Sequence, residues 1–363
     1  MAEEIVCVTD SHTKHGLAAV RALRGEKIAV ASHKKRNPTS FSRFVWKSVT
    51  HKEYPPESGF FDMVKQLEEM GGDILVPIGY HTNTLLSKYR KSINLKFEIP
   101  PSRSVETVAD KVKFYRFAQR RGIRIPETIF VNDLTDINDF NKFPAVVKSS
   151  QEMVGRKVEY AKNKTELRNI VKRRIKLGPQ IVQEKVEGKG RGFFAIYNQG
   201  KLKAFFMHER IREFPESGGV SSFSKSFFSL KLFEEGKKVL DRLKWNGVAM
   251  VEFKGDYILE INAKFWGSLD LAISSGVNFP KLYLDLVRGE KIKFDGYNFV
   301  RFQWLLPEDT WRIKTAKNKF KAAFESLRDL LNPYIKKDVQ YLISDPVPTV
   351  ARMGWTLWGM LKG

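Results

Sequence analysis

Val251-Glu252-Phe253-Lys254-Gly255-Asp256-Tyr257-Ile258-Leu259-Glu260-Ile261-Asn262-Ala263-Lys264-Phe265-Trp266-Gly267-Ser268 decides how the rest of the chain is read. Two apolar runs flank a Lys-Gly-Asp turn, the pattern of a β-hairpin. Each run carries one carboxylate among core-type residues, and an ionised Glu is rarely buried without a partner. Side chains alternate along a strand, so Glu260 and Asn262 share a face. Glu252 joins them if the turn holds an odd number of residues, such as Lys254-Gly255-Asp256; a two-residue turn would point it the other way. Two acids, an Asn and a following Lys suit a hard divalent cation with phosphate beside it. The alternative is a salt-bridged pair of strand glutamates, one on each surface.

The surrounding chain has 363 residues, enough for two or three domains. Its one cysteine, Cys7, stands in an apolar run, so no disulfide forms within the chain and a reducing, cytoplasmic setting is expected. No stretch approaches the length of a transmembrane helix, and the acidic start, Met1-Ala2-Glu3-Glu4, is unlike a signal peptide. The net charge of +22 predicts a field that draws anions without choosing among them.

Strand and helix patterns alternate over the first hundred residues, which reads as a parallel α/β sheet. A ligand of such a sheet binds beyond the strand C-termini, near 10–15 and 79–81. No Gly-x-Gly-x-x-Gly follows the first strand, against a dinucleotide fold. Ile99-Pro100-Pro101 marks a linker, a helix is expected over about 105–121, and α+β material follows. Lys148 ends the apolar run Ala145–Val147, where a Lys is either a snorkelling edge residue or a charge aimed at phosphate. Ser149–Lys157 reads as a basic loop or a flap over phosphates, with Arg156 or Lys157 in contact. Gln183-Glu184-Lys185-Val186 ends a strand and leads into a Gly-rich turn through Gly188 and Gly190. It lacks the Gly-Lys-Ser/Thr of a P-loop. Residues 208–222 are polar and Gly-rich and read as a loop, in which Arg210 and Arg212 flank Ile211 and face one side to grip a carboxylate or phosphate.

In this order the pieces resemble the ATP-grasp superfamily, from the first strand to about Glu290. Asp110-Lys111 looks like the Asp-Lys of biotin carboxylases, Pro144–Lys148 like the phosphate-binding strand, and Gln183–Val186 like the adenine hinge. Glu252, Glu260 and Asn262 look like the magnesium ligands, and Phe265-Trp266-Gly267-Ser268 resembles the carbamoyl-phosphate-synthetase-like ligases. The resemblance implies α/β and α+β architecture: a pre-ATP-grasp parallel domain (1–100), a first lobe with its linking helix (101–184), a second lobe with the metal hairpin (185–300) and a C-terminal extension (301–363). It implies ATP bound through Lys111, Lys148, Gln183, Glu184, Lys185, Val186 and Gly190. It also implies Mg²⁺, with Mn²⁺ as a substitute, on Glu252, Glu260 and Asn262. The activity implied is a ligase that converts a carboxylate to an acyl phosphate for attack by an amine or thiol, with Lys264, Arg210 and Arg212 serving the chemistry. The sequence departs from the superfamily at Ala263-Lys264, where Pro-Arg is usual; a Lys keeps the charge and loses the bidentate fork. The Ser149–Arg156 loop also lacks its customary Gly cluster.

Rival readings are an ATP-dependent carboxylase or phosphotransferase on the same scaffold, and a non-catalytic nucleotide or polyanion binder. The expected partners are small-molecule carboxylate and amine substrates and a second copy in a homodimer; nucleic acid is not expected. In the final segment Val350, Leu357 and Leu361 share a helical face with Trp355 and Trp358 beside it. Packing on the core or self-association is expected there ahead of contact with a membrane interface.

Overall fold

The computed structural model describes residues 3–35, 37–53, 56–149, 158–215 and 219–362, with the side chains of 359–362 outside the description. The N-terminal alternation folds as a parallel sheet of β1 (Ile5–Val8), β2 (Lys27–Ser32), β3 (Val45–Thr50) and β4 (Ile74–Val76), in the order β3-β2-β1-β4. The central strand β1 (Ile-Val-Cys-Val) and β4 (Ile-Leu-Val) are apolar throughout because both faces are covered, whereas the edge strand β3 is largely exposed. Val6, Val8, Ile28, Val30, Ile74 and Val76 point into one core, and Ile5, Cys7, Ala29, Ala31 and Leu75 into another. Burial pushes the Cys7 thiol up to about 12, as befits a small core residue rather than a nucleophile.

A second sheet holds β5 (Thr128–Val131), β6 (Ala145–Ser149), β7 (Glu159–Ala161) and β8 (Gln180–Glu184), in the antiparallel order β5-β8-β6-β7. The third and largest sheet runs β13-β12-β9-β10-β11-β14-β15. Its strands are β9 (Gly190–Asn198), β10 (Lys201–Phe214), β11 (Val220–Ser226), β12 (Gly247–Lys254), β13 (Tyr257–Asn262), β14 (Arg301–Gln303) and β15 (Ile335–Lys337). Phe193, Ala195, Tyr197, Met207, Ala249, Val251 and Phe253 cover one face against the helices Lys111–Arg120 and Leu230–Arg242. The alternate residues Phe194, Ile196, Phe206, Val248 and Met250 enter the same core as the parallel sheet and the Lys14–Ala22 and Phe279–Arg288 helices. This period-two division clamps the N-terminal sheet onto one face of the large sheet.

Several expectations change. The linking helix is two helices, Ser102–Ala109 and Lys111–Arg120. Asp110 stands between them as an N-cap, accepting from the Lys113 N–H at 3.0 Å. The polar stretch 208–214 is not a loop but the end of β10, paired with β9 and β11, and Val220–Ser226 is a strand. Polarity misleads there because Glu209, itself buried, takes Lys189 at 2.9 Å, Arg191 at 2.9 Å and Lys225 at 3.4 Å. Residues 301–303 and 335–337 add two strands to the large sheet. In the helix Pro346–Lys362, Val350 and Leu357 do not pack on the core: both are exposed, and Thr349 and Thr356 are buried in their place.

Candidate active site

The hairpin reaches the expected face by an unexpected route. Lys254 pairs with Tyr257, so the turn holds only Gly255 and Asp256, and three-residue parity fails. A bulge restores it: Phe253 pairs with Ile258 but Glu252 with Glu260, leaving Leu259 as the extra residue. Tyr115 stabilises the bulge, its hydroxyl donating to the Leu259 carbonyl at 2.6 Å. Gly255 takes a positive φ of 56° and donates its N–H to the Lys189 carbonyl at 3.1 Å, tying the turn to the Gly-rich segment.

Glu252 and Glu260 are therefore directly opposed cross-strand neighbours, a geometry in which like charges repel. The Asn262 amide donates to Glu260 Oε1 at 2.9 Å. The Arg210 guanidinium lies 2.8 Å from Glu252 Oε1 and 3.6 Å from Glu213, and it donates to the Gly219 carbonyl at 3.1 Å. Burial pushes Glu252 up to about 7, helped by the like charge of Glu260 and resisted by Arg210. Among the described residues the two opposed carboxylates thus face one guanidinium at ion-pair distance. A divalent ion bound by carboxylate oxygens and the Asn262 carbonyl oxygen fits this deficit, and Mg²⁺ needs only one or two protein carboxylates when phosphate supplies the rest. Among the described residues no group of three or more His, Cys, Asp or Glu forms a metal cage.

Lys148 stands on β6 with Nζ 3.4 Å from the Tyr115 hydroxyl and 5.6 Å from the centre of its ring. Burial pulls its pKa down while the charges of Glu260 and Glu252 pull it up, which places Lys148 in the field of the acid pair. Lys111, one turn before Tyr115, lowers the pKa of that tyrosine against the dominant upward push of burial. Tyr115, absent from the expected site residues, joins Lys148 to the bulge and lies one turn after Lys111; its signal in the sequence is the i, i+4 spacing from Lys111.

The hinge segment connects the second sheet to the third. Gln183 donates to Thr128 Oγ1 at 2.7 Å, Glu184 accepts from the Glu127 N–H at 3.0 Å, and the Lys185 N–H donates to Pro144 O at 2.8 Å. Lys185 turns its side chain outward to Glu187, and Val186 is half-buried. Gly190 lies under Arg210: a Cβ there would come within 3.0 Å of Arg210 Cδ and 2.7 Å of Glu213 Oε1. Lys264 is half-buried and sits beside His15, whose pKa burial and the Lys264 charge hold well below the ordinary value.

Arg212 does not share the setting of Arg210. A bulge intervenes, Arg210 pairing with Ser224 and Arg212 with Phe223. Arg212 reaches Asp329 at 2.5 Å and Asp309 at 3.4 Å and stacks on Phe223 at 4.5 Å. Both arginines line a polar cavity of about 310 Å³ with Lys189, Glu213, Lys254 and Arg312. Asp10, in the first expected ligand loop, accepts instead from Gly79 N at 2.9 Å and Thr82 Oγ1 at 2.8 Å, joining the two loops to each other. The expected phosphate flap, with Arg156 and Lys157, lies outside the described residues.

Residues 108–268 match the ATP-grasp domain family. The chain is 22% identical over 253 residues to the carbamoyl phosphate synthase large chain of Sulfurisphaera tokodaii, a match covering 64% of this chain and 23% of that protein. It therefore spans about a quarter of its curated relative. Among solved ATP-grasp-type structures, the L-amino acid ligase of Bacillus licheniformis superimposes with a TM-score of 0.62 at 17% identity, over 79% of this chain and 74% of that one. The biotin carboxylase domain dimer of Hydrogenobacter thermophilus 2-oxoglutarate carboxylase, in complex with MgADP, ADP and bicarbonate, gives 0.65 at 14% identity, over 82% and 72%. The ATP-grasp fold, with a parallel N-terminal sheet and a large mixed sheet, is thus that of this chain.

Proposed function

We propose that this protein is an ATP- and Mg²⁺-dependent ligase that activates a small-molecule carboxylate as an acyl phosphate for attack by an amine. The opposed Glu252–Glu260 pair, under-neutralised and within reach of the Lys148 charge, carries the reading. Glu252, Glu260 and Asn262 would hold the metal, which when bound supplies charge neutralisation at the transferring phosphoryl group. Lys148 presents a positive charge held in place by Tyr115, and Lys111 steadies the nucleotide. The Gln183–Val186 connection takes the adenine, and Gly190 leaves room for Arg210. Arg210 orients Glu252 and holds the carboxylate oxygens as they become an acyl phosphate; Lys264 adds a charge that no fork constrains. In the transfer, a substrate carboxylate oxygen bonds to the γ-phosphorus and the bond to ADP breaks. The amine nitrogen then bonds to the acyl carbon, phosphate leaves, and the amine proton passes to solvent.

In this reading residues 1–100 form the preceding domain, 101–184 the first lobe and 185–300 the second. Residues 301–363 form an extension whose two strands complete the second lobe's sheet. A homodimer in the cytoplasm is part of the proposal; the Hydrogenobacter dimer supports it. The test is ADP release in the presence of Mg²⁺ with pooled carboxylates and amines. Turnover is expected from at least one pool and lost in Glu252→Ala and Glu260→Ala, with the fold retained. Unchanged turnover in both variants, or no heat when Mg·ATP is injected into wild type, would refute the metal and nucleotide assignment.

A further inference from the structure

The two helices that end the chain are mounted inside out. In Lys319–Leu331 the inward residues are Ala322, Ser326 and Asp329. Its large apolar residues recur at i, i+4, i+7 and i+11 on the opposite side: Phe320, Phe324, Leu327 and Leu331, exposed by 91, 69, 53 and 72%. Tyr334, just beyond, is 88% exposed. In Pro346–Lys362 the polar Thr349 and Thr356 are buried, and Arg352 is drawn inward to the Leu306 carbonyl and to Asp338 at 3.9 Å. Val347, Val350, Trp355, Leu357 and Trp358 face out. A helix on a globular core turns its apolar stripe inward. Here internal hydrogen bonds and ion pairs fix the reverse orientation: Asp329 is clamped by Arg212 at 2.5 Å, and Ser326 donates to Asp309 at 2.6 Å.

We propose that these two helices dock on the headgroup–acyl boundary of an anionic lipid surface. An exposed apolar stripe of this kind marks an interaction site, and helices with Phe, Trp and Leu on one side and Lys or Arg beside it lie in a membrane interface. The charge around the stripes is one-sided. The acids of residues 301–363 are Glu308, Asp309, Glu325, Asp329, Asp338 and Asp345; five are buried and Glu325 is paired with Arg312. Lys317, Lys319, Lys321, Arg328 and Lys336 are exposed. A two-fold contact with a second copy sets a patch against itself and would bring these cations together with no exposed acid of the segment to offset them. Lipid phosphates offset them directly. No helix among the described residues is long and apolar enough to cross a membrane, so the contact lies along the surface. This inference does not depend on the ligase reading.

The test is sedimentation of the full chain with phosphatidylcholine vesicles, with and without phosphatidylglycerol. Wild type is expected to bind the phosphatidylglycerol vesicles about tenfold or more tightly, and less so as salt rises. The exposed double substitution Phe324→Glu, Leu327→Glu should lower binding by about tenfold or more, and Lys319→Glu, Lys321→Glu should remove the preference for anionic lipid; unaltered thermal unfolding checks that each folds. The proposal is overturned if wild type ignores both vesicles or if both variants bind as wild type does. It is equally overturned if the Phe324/Leu327 variant splits a dimer of a protein that binds no vesicle.

Discussion

Arg210 and Arg212 stand two residues apart on one strand, and their surroundings differ in kind. Arg210 faces Glu252 and, across the hairpin, Glu260, a pair that one guanidinium does not neutralise; Glu252 is pushed up to about 7. Arg212 enters a network with two acids, Asp329 and Asp309. Burial alone would raise Asp309, but Arg212, Ser326, Arg312 and Gln303 together hold it below its usual value. Arg312 reaches Asp309 at 2.6 Å, and the Gln303 amide donates to it at 2.7 Å. A site left electrostatically incomplete is poised for a ligand, and one with every charge answered holds the fold. The sequence gives both arginines the same apparent role; the bulge at Ile211 separates them.

Four measurements sharpen or break this contrast. Glu260→Ala should lower ADP formation by about a thousandfold, with thermal unfolding unchanged or raised because a like charge is removed; a stability loss with retained turnover would reverse the assignment. Asp309→Ala should cost about 3 kcal/mol of stability in urea unfolding, since it removes the buried carboxylate that Arg212, Arg312, Gln303 and Ser326 share, with Mg·ATP affinity of the folded protein unaltered. Arg210→Lys should slow turnover by about tenfold with little stability change, because a lysine keeps the charge but cannot hold Glu252 and the Gly219 carbonyl together; Arg212→Lys should do the opposite. The smallest effect lies in pH dependence. Glu252 has a raised pKa, so its contribution to stability is full below its unfolded value of 4.5 and is lost as pH rises through about 7. Asp309 has a depressed pKa, so its contribution is present above its unfolded value of 3.8 and is lost as pH falls through the folded one. Thermal unfolding of Glu252→Gln against wild type should therefore diverge from pH 5 to pH 8, the variant becoming the more stable as the wild-type carboxylate ionises, and that of Asp309→Asn should diverge as pH rises from about 2 to 5, with the wild type the more stable.

Much of the fold was legible because apolar periodicity is local: β1, β2, β4, the β9–β10 hairpin and the helices near 231–243 and 279–287 follow from runs and turns alone. The strand nature of 208–214 was hidden because its buried polar groups find partners on β9 and β11, distant in sequence. In the candidate site, Glu252, Glu260, Asn262 and Lys148 were readable as charges inside apolar strands. The right face was reached for the wrong reason, since a bulge and not the turn sets the parity. The final helix misled in the other direction: its apolar face suggested packing or self-association, and Val350 and Leu357 on that face are exposed, while Arg352 turns inward to the Asp338 region.

By itself the sequence determined which segments are strands or helices with strong periodicity, the large positive charge, and an order of acids and lysines that resembles the ATP-grasp pattern. Those properties depend on residues near one another along the chain. The tertiary structure alone decided that Glu252 confronts Glu260, that Tyr115 meets Lys148 and the Leu259 bulge, that Arg212 reaches Asp329 and Asp309, and that Phe324 meets solvent. Each of these is a contact, or the lack of one, between segments brought together only by folding, where burial and neighbouring charge set what a side chain can do.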